Sequence, residues 1–315
     1  MRLKTQLCVL ILFIVFAIVM FELIEYEETD IIVEETGNIL VMFCDIENCS
    51  DALNTLIISS NKSNCAFYNQ MDENLKNNFK KINSTTLIYS KNYKDFGKPI
   101  YTKGLMHHKF CVFDDEIITT GSYNPGESKK RDNQLIITSK ALSKNYNQEI
   151  LFLETNKETK TPHQEITFNN RTIKNYFCPR DSCKEKILVE LEKARESIKF
   201  MTFTFTDKDI ASKILEKNET GADVKGIIED FQNKKEWVYP LFENNTVILA
   251  TTITQHNKLF IIDDKILITG SYNPTNAANT INNENIIIIE EPEIVKKYLD
   301  YFEYVFSLET LAKTI

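Results

Sequence analysis

His107–Asn124 reads HHKFCVFDDEIITTGSYN, and His256–Asn273 reads HNKLFIIDDKILITGSYN. Both fit H-x-K-x4-D-x6-G-S-x-N without a gap, so six fixed residue types recur at identical offsets 149 positions apart. Chance does not supply such a coincidence in a chain with only four histidines, two of which open these copies. Self-similarity of this length means two copies of one structural unit. The repeat extends upstream. NYFCPRDSCKEKILVEL from Asn175 echoes VMFCDIENCSDALNTLI from Val41, each with Phe, Cys, four residues, Cys and a helix-like apolar spacing. The copies therefore cover about 40–154 and 175–308.

At 315 residues the chain is long enough for two domains that each bury a core. Its hydrophobic share of 43% and charged share of 26% are those of a globular protein. The net charge of -8 weighs against a high-affinity nuclease, because a dedicated nucleic-acid surface shows a basic excess; a local basic cleft stays open. In the second copy, Ile187, Leu188, Leu191, Ala194 and Ile198 make a helical stripe over Cys183–Ile198. KFMTFTF reads as a strand, Asp207 as the cap of a helix that Gly221 ends, and DVKGIIED as a buried strand. LFIID and ILITG form a hairpin, IIIIE a buried strand, and Pro292 opens a final helix. The first copy supplies ILVMF, CAFYN, TLIYS, FCVF, IITTG and LIIT as matching strands. This mixture predicts an α/β chain. Thr155–Glu165 (TNKETKTPHQE) is polar without apolar period, which predicts a linker over 155–170 between lobes at 38–154 and 171–310.

The doubled pattern resembles the HKD signature of the phospholipase D superfamily, with both motifs complete: His107, Lys109, Asp114, Gly121, Ser122 and Asn124, then His256, Lys258, Asp263, Gly270, Ser271 and Asn273. The resemblance implies two tandem lobes, each a mixed β-sheet flanked by helices, related by a pseudo-twofold axis and sharing one active site. It implies a phosphodiesterase that hydrolyses or transfers a phosphodiester through a covalent phosphohistidine. The acidic balance and an N-terminal anchor put a phospholipid substrate slightly ahead, and the compact lobes favour the alternative, DNA or RNA cut by a Nuc-type endonuclease. A silent interaction module is the third reading.

The residues suit that chemistry. A neutral imidazole can attack phosphorus, and a second, protonated one can serve the leaving oxygen and then the incoming water. By resemblance His107 is the nucleophile and His256 the acid/base. Lys109 and Lys258 share a strand face with their histidines and would hold the nonbridging oxygens. Asn124 and Asn273 would donate amide hydrogens to the same oxygens. Ser122 and Ser271, small and beside Gly121 and Gly270, would let backbone approach the phosphate. Asp114 and Asp263 fall on the opposite strand face, which predicts a structural role in the turn. The family places an acid after each motif to orient a histidine; Glu284 and Asp132 stand there. Asp132 is the shorter acid, on a loop three residues shorter, a departure expected to bear on the first histidine. Fixed cations take a metal's place, so neither metal nor cofactor is expected. His108 reads as packing or surface, and His163 as solvated in the linker.

Residues 7–21 carry no charge, with basic residues before and acidic ones after. This predicts a signal anchor or signal peptide over 1–26, a membrane attachment through it, and catalytic lobes outside the cytoplasm. Cys44/Cys49 and Cys178/Cys183 can close disulfide loops; packed thiols stay open, and zinc is disfavoured because the pairs belong to different lobes. Cys65 and Cys111 read as core. Six glycosylation sequons, at Asn48, Asn61, Asn83, Asn170, Asn218 and Asn244, are compatible with secretion. A monomer of two pseudo-symmetric lobes is expected.

Overall fold

The second lobe repeats the first strand for strand. The computed structural model describes residues 32–126, 129–157, 159–232, 238–242 and 246–313. The first sheet runs, in spatial order, Ile39–Phe43, Asn133–Thr138, Ile117–Gly121, Lys109–Phe113, Lys62–Phe67, Asn83–Tyr89, Lys98–Ile100. The second repeats that order as Arg171–Cys178, Glu284–Ile289, Ile266–Gly270, Leu259–Ile262, Ser197–Thr202, Asp223–Glu229, Thr246–Ala250. In both, the first four pairings are antiparallel and the last two parallel. The expected α/β architecture of two tandem lobes is therefore present in the topology itself.

Two further strands, Glu165–Phe168 and Val33–Glu35, extend the second sheet to nine. They correct the expected linker. The helix Lys140–Thr155 ends at Asn156, whose φ of 52 turns the chain, and Glu165–Phe168 then folds antiparallel onto Arg171–Cys178 with Ile166 and Phe168 buried. The polar first half of the linker hid an alternating strand in its second half. Val33–Glu35, ahead of the expected lobe boundary at residue 38, pairs into the second lobe's sheet.

The helix predicted over Cys183–Ile198 stops at Glu192, and Ile198 is buried in the strand Ser197–Thr202. The Asp263 carboxylate explains the break. It accepts the amides of Arg195, Glu196 and Ser197 at 3.0, 2.8 and 2.9 Å, drawing them out of helical pairing and into the sheet. Asp207 caps the helix Lys208–Glu219 by accepting from Asp209 and Ile210, both at 3.0 Å. The last helix, Pro292–Ala312, opens on its proline, where the missing N–H has no intrahelical partner to lose.

One apolar cluster spans both lobes and joins Phe43, Phe110 and Tyr146 to Phe177, Tyr298 and Phe302. A site between the lobes thus rests on shared core. Cys44–Cys49 and Cys178–Cys183 are disulfides, each opening a helix at its second cysteine, Cys49–Ser59 and Cys183–Glu192. Cys65 and Cys111 are buried as expected but also bonded to each other. They are register partners on adjacent antiparallel strands, 4.1 Å apart at Cα. The anchor predicted over 1–26 lies outside the described residues. No helix among the described residues is long and apolar enough to cross a membrane.

Candidate active site

The two lobes meet where each histidine enters its strand. The His107 amide donates to the Asn283 carbonyl (2.9 Å), and the Asn283 amide to the Leu105 carbonyl (2.8 Å). The mirror contacts join the His256 amide to the Arg131 carbonyl (3.0 Å) and the Arg131 amide to the Thr254 carbonyl (2.9 Å). Residues leading one lobe's acid therefore run beside residues leading the other lobe's histidine. The acids cross over in consequence. His107 Nδ1 lies 2.8 Å from Glu284 Oε2, and His256 Nδ1 lies 2.6 Å from Asp132 Oδ1. This corrects the expectation for Asp132, whose shorter side chain bears on the second histidine, not the first.

The serines are fully buried, and their hydroxyls meet the acids. Ser271 donates to Glu284 Oε2 at 2.6 Å, and Ser122 hydrogen-bonds Asp132. Gly121 and Gly270 make that approach possible. Their φ values are 140 and 149, and a Cβ would lie 2.4 Å from the Asn133 carbonyl oxygen and 2.2 Å from that of Asn285. The close backbone approach is to the neighbouring acid strand.

Lys109 and Lys258 are each 3% exposed. Each ammonium donates to the carbonyl of its own histidine, at 2.6 and 2.5 Å. Lys109 also sits 5.1 Å from the Tyr68 ring centroid and Lys258 5.3 Å from that of Phe203. The same rings meet the imidazoles edge-on, at 4.8 Å for Tyr68 and His107 and 4.7 Å for Phe203 and His256. Sequence reading missed this aromatic pair, although each residue directly follows the same strand of its repeat. Aligning Tyr68 with Phe203 would have exposed it.

Asn124 is buried, and its Oδ1 has no hydrogen-bond partner among the described residues. Asn273 is half-buried, and its Oδ1 accepts from the Thr204 amide at 3.2 Å. Asp114 and Asp263 occupy the hairpin turns with φ of 50 and 52. Asp114 accepts the amides of Asn61 and Lys62 at 3.0 and 2.9 Å, so each aspartate ties its hairpin to the start of the neighbouring strand. His108 is buried and sits 2.9 Å from Glu149, which pairs with Arg180 at 2.8 Å. His163 is half-buried, not simply solvated, and its backbone is held at both N–H and C=O by the Asn145 side chain.

Sequence reading also missed Arg131. In one dimension it reads as surface charge after two lysines, yet it is 1% exposed. It pairs with Glu309 at 2.5 Å and donates to Thr252 Oγ1 at 2.7 Å, with Asp45 at 3.9 Å. The last helix is thereby bound to the residue beside Asp132.

Burial pushes His107 and His256 down to about 4, against the opposing pull of their acids. Lys109 and Lys258 each lower both histidines, so the cation of each lobe acts on the imidazoles of both. Burial raises Asp132 and Glu284, but the facing histidine and lysines outweigh it and both end below the usual carboxylate range. Each pair therefore stands as neutral imidazole with carboxylate. The Nδ1–H donated to the acid leaves Nε2 with its lone pair available.

A pH dependence of stability follows. Between the ordinary 6.5 and about 4 the unfolded chain binds protons that the folded histidines refuse, so stability falls as pH drops through that window. Calorimetry from pH 7 to 4 should show a steeper decline in Tm for the native protein than for a His107→Asn/His256→Asn double variant. Parallel slopes would count against neutral buried imidazoles.

Comparison with known proteins places this geometry. The family described as "Cardiolipin synthase, PLD-like domain" matches residues 53–152 and 187–306, one segment in each repeat. The phospholipase D of Rickettsia typhi is 34% identical over 148 residues, 45% of this chain and 72% of that protein. The mitochondrial cardiolipin hydrolase of Chlamydomonas reinhardtii is 26% identical over 143 residues, 42% of this chain and 64% of that protein. Phosphatidylserine synthase from Haemophilus influenzae has a similar structure, with a TM-score of 0.67 at 14% identity over 87% of this chain and 88% of that one, a likeness of fold that takes in both lobes.

Proposed function

The chain belongs to the phospholipase D-like family of phosphodiesterases, and from that membership we propose that it hydrolyses a phospholipid phosphodiester through a phosphohistidine on His107. His107 Nε2 attacks phosphorus as the bond to the departing oxygen breaks, and His256 gives that oxygen a proton. His256 then takes a proton from water, whose oxygen displaces His107 and releases the phosphomonoester. Lys109, Lys258, Asn124 and Asn273 neutralise the oxygens that gain charge. His256 must be protonated for the first step, and the anionic substrate favours the imidazolium as it binds. The observation that supports this reading is the crossed pairing, in which an acid of each lobe orients the imidazole of the other.

The net charge of -8 and the lipid-named relatives support a phospholipid substrate. A nuclease reading draws on Phe231, 50% exposed and 5.0 Å from the Phe203 ring, an aromatic face on which a base could stack. Three disulfides support a location outside the cytoplasm, with attachment through residues 1–26.

The full chain in detergent, given phosphatidylcholine and cardiolipin vesicles in one arm and single- and double-stranded DNA and RNA in the other, tests the assignment against a His107→Asn blank. Phosphatidic acid above blank supports the lipid reading, strand cleavage the nuclease, and silence in both arms a non-catalytic module. Because lysines supply the fixed cations, EDTA should change the rate by less than about twofold. A strict metal requirement would contradict the mechanism.

A further inference from the structure

A second pair of side chains crosses between the lobes behind each catalytic pair. Glu284 and Asn285 open one strand, and Asn133 opens another directly after Asp132. Successive residues there point to opposite faces, so each acid and the asparagine after it part company. The asparagine meets the residue that follows the histidine. His108 Nδ1 lies 3.3 Å from Asn285 Oδ1, and Asn133 Nδ2 donates to Asn257 Oδ1 at 2.8 Å. All four residues are fully buried.

The last helix of each lobe completes the layer from two positions on one face. On Lys140–Thr155, Tyr146 Oη accepts from Asn285 Nδ2 at 3.3 Å, and Glu149 Oε1 lies 2.9 Å from His108 Nε2. On Pro292–Ala312, Tyr298 donates to Asn133 Oδ1 at 3.1 Å, and Tyr301 is bonded to Asn257. The two sides differ in charge. His108 faces a carboxylate that Arg180 also holds, whereas Asn257 faces a phenol that donates to Asp45 at 2.8 Å. A buried polar group that loses its partner is costly, so these bonds hold each acid's strand in one register against the opposite lobe.

We propose that His108 and Asn257 are positioning residues, each of which aims the catalytic histidine beside it by fixing the strand end that carries that histidine's acid. His108 serves the attack of His107 on phosphorus, and Asn257 the proton transfers of His256. Both steps depend on a narrow range of approach, which the second layer sets. Its carboxylate bond makes the His108 side the stiffer of the two. The assignment of steps rests on the phosphodiesterase reading above.

The test separates the steps with a p-nitrophenyl phosphodiester, whose leaving group needs no proton. In a His256→Asn background the burst reports attack by His107 alone. Its amplitude counts folded sites, so its rate constant does not register protein lost to misfolding. His108→Leu should slow that burst about tenfold, and Asn257→Leu by less than about twofold. His108→Asn, which copies the second lobe, should restore most of the rate. With His256 present, Asn257→Leu should lower kcat about tenfold at unchanged KM. Equal slowing of the burst by both leucine variants, or by neither, overturns the proposal. If the leucine variants do not fold, Tyr146→Phe and Tyr298→Phe decide, each removing one hydroxyl. The first should slow the burst about threefold and the second should not; equal effects overturn the proposal. Should the native protein cleave no phosphodiester, the phosphodiesterase reading fails on its own, and NMR of the imidazole Nδ1 protons decides the positioning separately. His108→Leu should move the His107 resonance and leave that of His256 in place, and Asn257→Leu the reverse. Movement of both resonances in either variant, or of neither, overturns the proposal.

Discussion

Replacing His107 by Asn is expected to lower turnover of any phosphodiester by about 10⁴-fold while the fold survives. Asn is the informative choice because its amide can still donate to Glu284. His256→Asn should lower steady-state turnover comparably, but the two variants should part on an activated substrate. p-Nitrophenol leaves without a proton donor. His256→Asn should therefore release about one equivalent of it in a burst and trap the phosphohistidine, as expected when deacylation-like steps lose their base. His107→Asn should give no burst. Because the acids cross between lobes, Glu284→Gln should behave as a weaker His107→Asn, and Asp132→Asn as a weaker His256→Asn. A burst retained by Glu284→Gln but lost by Asp132→Asn would mean that the histidine roles are reversed.

Glu309→Ala is expected to be the most destabilising single change away from the pocket. It leaves the buried Arg131 guanidinium with Asp45, 3.9 Å away, as its carboxylate partner, and loses the acceptor of the Thr251 amide, now at 2.7 Å. Breaking one side of a buried pair costs about 3–5 kcal/mol. Urea unfolding would read the loss directly, and a change under about 1 kcal/mol would show the pair to be nearly neutral. Replacing Arg131 and Glu309 together by apolar residues should recover much of the loss, because no charge then stays buried.

The motif residues and the α/β repeat were legible because fixed offsets and strand alternation are one-dimensional properties. His107 and His256 each meet an acid of the other lobe, and Lys109 and Lys258 each donate to the carbonyl of the histidine two positions before. What the sequence could not display depends on how the lobes dock or how strands register. Which acid serves which histidine is decided by the backbone contacts of Asn283 and Arg131 across the lobe boundary. The Cys65–Cys111 bond needs the register of two strands 46 residues apart in sequence. Arg131 looks solvated until the last helix brings Glu309 to it. The helix expected to run to Ile198 was cut short by a carboxylate 65 positions downstream of that residue, at Asp263.

The crossed acids make each half of the chain incomplete in a particular way. Severed from the other, either lobe would keep its imidazole and lysine but lose the carboxylate that aims the ring. A single copy built on this plan could work only by pairing with itself as a twofold dimer, in which each subunit lends its acid to the other. Once two copies are fused, damage to Glu284 is felt at His107 and damage to Asp132 at His256. Neither half can change its own acid without altering the chemistry of its neighbour.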